Sequence, residues 1–287
     1  MDINTLQAFL AVAETTSFSQ AAERLFLTQP AISKRIAALE ESLGAKLFDR
    51  IGRQVALTEA GRALLPRAQR ILAELEDSQR AIANLGGQVS GRLTFGTSHH
   101  IGLHRLPPIL RLYTERYPEV KLDIRFMDSE EACKAVEHGD LELGIVTLPQ
   151  HPSPALTVHK VWDDPLTIVA AAGHPLTKKR SLTPADLADY PAILPAPGTY
   201  TREVLELALQ PYGLELRAAL STNYLETIKM LVSVGLGWSV LPCTMLSSEV
   251  RPLKVDHLTL ARQLGTVHHH ARTLSNAAKA MLDILTR

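Results

Sequence analysis

The sequence is poor in cysteine, in excess charge and in long apolar runs. Its 287 residues hold two cysteines, Cys133 and Cys243, far apart. Such a pair supports no disulfide framework and suits a reducing compartment. No run of about 18 uncharged apolar residues occurs, so no membrane span is expected. The first residues lack a basic n-region and carry Asp2 and Glu14, so no secretory signal is expected and a cytoplasmic location follows. Lys plus Arg and Asp plus Glu each number 30, a net charge of zero. That argues against coating nucleic acid through bulk charge, yet leaves room for a local basic patch. Nucleophile elbow, phosphate loop and metal triad are missing too, so no enzyme is expected. What remains is ordinary for a globular chain, 46% hydrophobic and 21% charged, and its length calls for two or three units.

Up to about residue 87 the apolar pattern is helical. Leu6, Phe9, Leu10 and Val12 form a first series, broken at Glu14-Thr15-Thr16-Ser17. Ser17 with Gln20 reads as a capping box opening a short helix. Thr28 is placed to cap the next one, and Pro30 falls in its first turn, where a missing N–H costs nothing. Ile32, Ile36, Leu39 and Leu43 mark its apolar face, and Gly44 ends it. LFDRIGRQVALT then reads as two extended runs joined around Gly52, a hairpin-like wing. Thr58 caps a long helix running to near Gly86-Gly87. Its positions Leu64, Ala68, Ile71, Leu75, Ser78, Ile82 and Leu85 alternate threes and fours, a stripe best paired with a second copy. Pro66 inside it predicts a kink or an unpaired carbonyl.

From about residue 91 short apolar runs alternate with helical stretches. LTFG, KLDIRF, LELGIV, LTIVAAA, AIL and WSVL read as strands. The alternation predicts parallel α/β sheets with helices on both faces. LTFGTSHHIG has a loose counterpart in AILPAPGTYTREV, which suggests two similar lobes with binding loops at the carboxyl ends of strands.

Two helices joined by a tight turn and followed by a hairpin satisfy the winged helix-turn-helix pattern. The second helix would enter the major groove by its exposed end. Gln29 can pair with adenine, Ser33 with several base edges, and Lys34 and Arg35 with guanine acceptors or phosphate. Pro30 and Ala31 permit close approach to thymine methyls, while Arg50 and Arg53 of the wing suit phosphate or minor-groove contact. A helical dimerisation module with a merely polar outer face is the alternative. Residues 1–57 hold six basic and six acidic side chains, which favours that alternative. Residues 50–70 carry Arg50, Arg53, Arg62, Arg67 and Arg70 against Glu59 alone, which favours DNA.

In the second half GTSHHIG follows a strand and opens a helix. It offers Thr97, Ser98, His99 and His100 at a positive helix end, an anion-binding arrangement. Thr199, Tyr200 and Thr201 open a later helix, Asn223 another, and Thr147 ends LELGIV. Each hydroxyl could be only an N-cap; several converging on one cleft would make a site. His100 and His104, or His268-His269-His270, raise the idea of a metal, but a third ligand at strict spacing is missing. Cys133 and Cys243 could form a redox switch, although their settings read as buried thiols.

FSQAAERLFLTQPAISKRIAALEESLGAKLFDR, Phe18 to Arg50, followed by LTEAG, Leu57 to Gly61, closely resembles the N-terminal domain of LysR-type transcriptional regulators. Gly139-Asp140-Leu141 through Gly144-Ile145, Gly173-His174-Pro175-Leu176 and VSVGLGWSVLP extend the resemblance along essentially the whole chain. It implies an all-α winged helix-turn-helix with a long linker helix, then an α/β two-lobed periplasmic-binding-protein-like domain. The expected divisions are 1–57, 58–87 and 91–287, with lobe I near 91–162 and 266–287 and lobe II near 163–265. The resemblance implies promoter DNA, a small-molecule effector between the lobes, self-association as a dimer or tetramer, and RNA polymerase as partners. No other cofactor is expected.

Overall fold

The computed structural model describes residues 1–51, 54–214, 216 and 218–286. They form two compact units: Met1–Gly86 with His138–Asp140, and Gly87–Glu137 with Leu141–Arg287.

In the first unit α1 (Ile3–Thr15) begins at a reciprocal cap. Asp2 Oδ1 accepts the Thr5 N–H at 2.9 Å, and the Asp2 N–H donates to Thr5 Oγ1 at 3.1 Å. Ser17 and Thr28 cap α2 (Phe18–Arg24) and α3 (Gln29–Leu43). Gly44, at φ +64°, ends α3 in the left-handed conformation that glycine adopts freely. Leu6, Phe9, Val12, Phe18, Ile32, Ile36 and Leu39 make the core, and fully buried Ala21 lets the helices approach closely. Phe48 packs its ring 5.4 Å from Phe9 and 5.9 Å from Phe18.

Phe48 opens the wing, in which β1 (Phe48–Ile51) pairs antiparallel with β2 (Gln54–Leu57) from Phe48↔Leu57 to Ile51↔Gln54. Buried Glu40 fastens the wing to α3, accepting the Leu47 N–H at 2.9 Å and Lys46 Nζ at 2.6 Å. Thr58 caps the 26-residue α4 (Glu59–Asn84), which continues through Pro66. A Cβ on Gly61 would lie 2.2 Å from the Leu47 carbonyl oxygen, so only glycine lets α4 leave the wing this closely. Leu64 and Leu72 pack on the first-unit core. Further along the stripe Ile71, Ile82 and Leu85 are 42%, 71% and 86% exposed, without the cover that their apolar spacing calls for.

The second unit starts with β3 (Gly91–Thr97), α5 (His99–His104), α6 (Leu106–Arg116), β4 (Val120–Phe126), α7 (Ser129–His138) and β5 (Leu143–Thr147). There β3 is parallel to both β4 and β5. The chain continues as β6 (Leu156–Ala170), α8 (Pro184–Ala188), β7 (Ala192–Leu194), α9 (Tyr200–Leu209), β8 (Ala218–Ser221) and α10 (Leu225–Ser233). It ends with β9 (Ser239–Pro242), β10 (Arg251–Leu253), β11 (Leu260–His269) and α11 (Asn276–Leu285).

One sheet runs β10-β6-β11-β5-β3-β4 with β9 also on β6, and β7 and β8 form a separate parallel pair. This departs from the all-parallel expectation, because β11 is antiparallel to both β5 and β6. Those two strands are long and serve two cores. Leu156, Val158 and Val267 pack with Ala132, Val136 and Leu148 in one lobe. Leu166, Ile168 and Leu260 pack with Leu194, Leu205 and Trp238 in the other. Between the cores the register shifts at Leu264/Gly265. A Cβ on Gly265 would sit 2.1 Å from the His159 carbonyl oxygen, so glycine permits the crossing. The reading by apolar runs misses β11 and the first half of β6, because ARQLGTVHH and TVHKVWDD interrupt hydrophobicity with charge and histidine.

Candidate functional sites: a helix face and an interlobe cleft

The start of α3 is a polar, accessible surface. Gln29, Pro30 and Lys34 are exposed, and Ala31, Ser33 and Arg35 are half-buried around them. Gln29 Nε2 donates to Ser33 Oγ one turn on, at 3.0 Å, which orients the amide before anything binds. Thr28 Oγ1 accepts the Ala31 N–H, so Pro30 starts the helix and breaks nothing. The turn ahead of it holds Phe26, 96% exposed at φ +54°, which the apolar pattern assigned no role. Arg53 and the Arg50 side chain, expected to hold phosphates, lie outside the described residues.

In the second unit the polar loops at the strand ends meet around a narrow cavity of about 50 Å³. Ser98, His99, His100, Thr147, Thr199, Thr201 and Asn223, all nominated from the sequence, line it. Thr97 is fully buried at the end of β3 and is not among the lining residues. Tyr200 is not either; its ring packs on the cluster of Ala132, Cys133 and Val136. Two nominated hydroxyls also have local partners. Ser98 Oγ accepts the Ile101 N–H and caps α5, and Thr199 Oγ1 donates to the Ala196 carbonyl at 2.9 Å.

Residues that the sequence reading passed over decide the electrostatics. Arg262 Nε donates to Asp164 Oδ2 at 2.8 Å and its Nη1 to Thr201 Oγ1 at 2.5 Å. Arg105 Nη2 reaches the other oxygen of Asp164 at 3.0 Å. Arg262 and Asp164 are 4% and 0% exposed at their side chains. Two guanidiniums thus share one carboxylate, and the cavity wall also carries Asp128 and Glu130, so charges of both signs line it. The buried Nη2 of Arg262 has no hydrogen-bond partner, and Arg262 lines the cavity. A buried cation with a free donor is costly until an acceptor meets it. Strand alternation carried a signal for this residue: in LARQL, Leu260, Arg262 and Leu264 are all buried while Ala261 and Gln263 are exposed.

Acidic groups of one lobe bind donors of the other. Asn223 Nδ2 donates to Asp128 Oδ2 at 2.5 Å while its Oδ1 accepts the Ala196 N–H at 2.9 Å. The Tyr200 N–H donates to Glu130 Oε1. The start of α9, expected to be an open anion site, therefore already carries the protein's own carboxylate. Burial pushes the Glu130 carboxyl above its usual range. Burial, followed by the Arg262 charge, pushes the His100 imidazole down to about 4, so it is neutral at neutral pH. Both cysteines are free thiols, and burial pushes Cys133 up to about 11 and raises Cys243 as well. Thiolate is scarce at both, which weakens the redox alternative. Among the described residues no helix is long and apolar enough to cross a membrane.

Residues 3–62 match the family described as bacterial regulatory helix-turn-helix protein, lysR family, and residues 86–287 match the LysR substrate binding domain. An uncharacterized HTH-type transcriptional regulator of Azotobacter vinelandii, from the ibpB-leuC intergenic region, is 73% identical over 108 residues, 38% of this chain and 75% of that protein. A probable RuBisCO transcriptional regulator of Thalassiosira pseudonana is 31% identical over 265 residues, 90% of this chain and 86% of its own. The fold of full-length CbnR, crystallised with its target DNA, is similar at TM-score 0.64 and 23% identity over 99% of each chain. These chains are regulators, not enzymes, and the second match alone spans well over half of this one. The chain belongs to the LysR family of DNA-binding, effector-responsive transcriptional regulators.

Proposed function

We propose that this regulator reads promoter DNA with the start of α3 and senses a small anion in the cleft between its lobes. Gln29 pairs with an adenine edge, Ser33 and Lys34 read neighbouring edges, and Pro30 and Ala31 meet thymine methyls. Arg35, with Arg50 and Arg53 of the wing, supplies phosphate grip. The exposure of Gln29, Pro30 and Lys34 supports this reading. So does the CbnR relative, seen on its target DNA. Domain 1–57 binds DNA, 58–87 links and dimerises, and 91–287 senses. Ile71, Ile82 and Leu85 find their cover in the α4 of a second copy, as a dimer that can pair into a tetramer. The protein acts in the cytoplasm, where it contacts RNA polymerase at the promoter.

One observation carries the sensing half: the unpartnered Nη2 of buried Arg262 on the cavity wall. The cavity of about 50 Å³ has room for a few non-hydrogen atoms, which suits a small carboxylate or inorganic oxyanion. An anion with different affinity for two lobe arrangements shifts the balance between them, and with it the bend imposed on DNA. The test is thermal unfolding of the full chain with small carboxylates, sulfate and phosphate, each beside an uncharged isostere. The expected result is a rise of roughly 5 °C or more at ~100-fold excess over Kd, lost in Arg262→Lys, where Arg105 still pairs with Asp164. Equal stabilisation by the uncharged isosteres would overturn the reading.

A further inference from the structure

A second cluster of donor atoms lies beside the cleft. His100 and His104 are one turn apart on α5, with ring centroids 4.8 Å apart. Glu226, in the first turn of α10, belongs to the other lobe. Its Oε1 lies 2.9 Å from His104 Nε2 and 3.8 Å from His100 Nδ1. One donor atom from each residue lies within 4.8 Å of the other two.

Two features separate this trio from an ordinary surface ion pair. His100 is 4% exposed, yet neither of its ring nitrogens has a hydrogen-bond partner. An imidazole hidden from water with both nitrogens idle is rare, because buried polar atoms are nearly always satisfied. Metal coordination uses such a lone pair directly. The spacing also agrees: ligand atoms about 2.1 Å from a tetrahedral ion lie about 3.4 Å from one another. The observed 2.9 and 3.8 Å bracket that value and the third separation is no more than 4.8 Å, so side-chain adjustment of roughly 1–1.5 Å brings the three ligands onto one ion.

We propose that His100, His104 and Glu226 bind one divalent transition-metal ion of the zinc class, held between the two lobes. Two imidazoles and a carboxylate suit Zn²⁺, Co²⁺ or Ni²⁺; Mg²⁺ and Ca²⁺ call for oxygen ligands. Three protein ligands leave a fourth position for water or an external ligand. His100 also lines the effector cavity, so metal site and cavity are neighbours. Because the ligands come from both lobes, the ion favours the arrangement in which the lobes are drawn together.

Co²⁺ added to metal-stripped, full-length protein is the probe. The expected result is one Co²⁺ per chain with the visible absorption bands of a tetrahedral site, displaced by one equivalent of Zn²⁺. His104→Ala and Glu226→Gln replace partly exposed side chains and are expected to fold normally, as metal-free melting verifies. Each is expected to weaken Co²⁺ binding about 100-fold or more. Absence of Co²⁺ binding by the native protein overturns the proposal. Binding that both variants retain unchanged does so too, because it places the ion elsewhere, as on the His268–His270 run.

Discussion

Glu130 and Tyr200 join the two lobes end to end: a carboxylate in the first turn of α7 accepts the backbone N–H of the first residue of α9. The bond sets a carboxyl oxygen at a helix N-terminus, where it satisfies an N–H that has no partner within the helix. Glu130→Ala leaves that N–H without its acceptor, at an expected cost of about 1–2 kcal/mol to the second unit. Urea unfolding followed by tryptophan emission measures this, since Trp162 and Trp238 both lie in that unit. An unchanged midpoint would show that the bond contributes nothing in solution.

Glu40 gives the first unit a pH dependence of known sign. Burial alone raises its pKa, but the Lys46 ammonium and the Leu47 N–H outweigh burial and hold it below the ordinary 4.5. A carboxyl held lower in the folded than in the unfolded chain stabilises above the unfolded value, and that stabilisation is lost as pH falls through the folded one. Glu40→Gln is expected to cost about 1–3 kcal/mol at pH 7. The gap from native should shrink on acidification below pH 4.5. A gap constant from neutral to acid pH contradicts this account.

Gly61 is fixed by space. Its added Cβ would come within 2.2 Å of the Leu47 carbonyl oxygen, backbone that cannot rotate aside. Gly61→Ala is expected to destabilise the first unit by roughly 2–3 kcal/mol and to weaken DNA binding as the wing shifts. Loss seen by circular dichroism melting, with Glu59→Ala as a neighbouring control, tests it.

Gln29 and Ser33 form one hydrogen-bonded pair, so their variants should resemble each other. Gln29→Ala and Ser33→Ala are each expected to reduce discrimination between operator and random DNA by about 1–3 kcal/mol. Oligomeric state should stay unchanged. Arg35→Ala is expected to weaken all sequences alike and to flatten the salt dependence by about one unit. Footprints of equal sharpness across the series would remove Gln29 and Ser33 from the reading role.

Much of the local structure was legible because its causes are local. Thr28, Pro30 and Gly44 mark the start and stop of α3 through groups three or four residues away. Thr58 does the same for α4. Loop residues at strand ends were nominated from composition, and seven of the nine line the cavity. Thr97 and Tyr200 fell outside because adjacent residues of a strand or helix start point in different directions, and a window cannot tell which faces the cleft.

The sequence by itself determined the helices and wing of the first unit, the caps of α3 and α4, the apolar faces and the family, since each is written in short-range spacing and side-chain type. Tertiary structure alone decided which charges meet. Arg262 lies 98 residues from Asp164, Asn223 lies 95 from Asp128, and Glu226 lies 122 from His104. Those meetings depend on the antiparallel register of β6 and β11 and on how two lobes close. Their partners are fixed by packing over the whole unit, and no stretch of sequence around either residue records them.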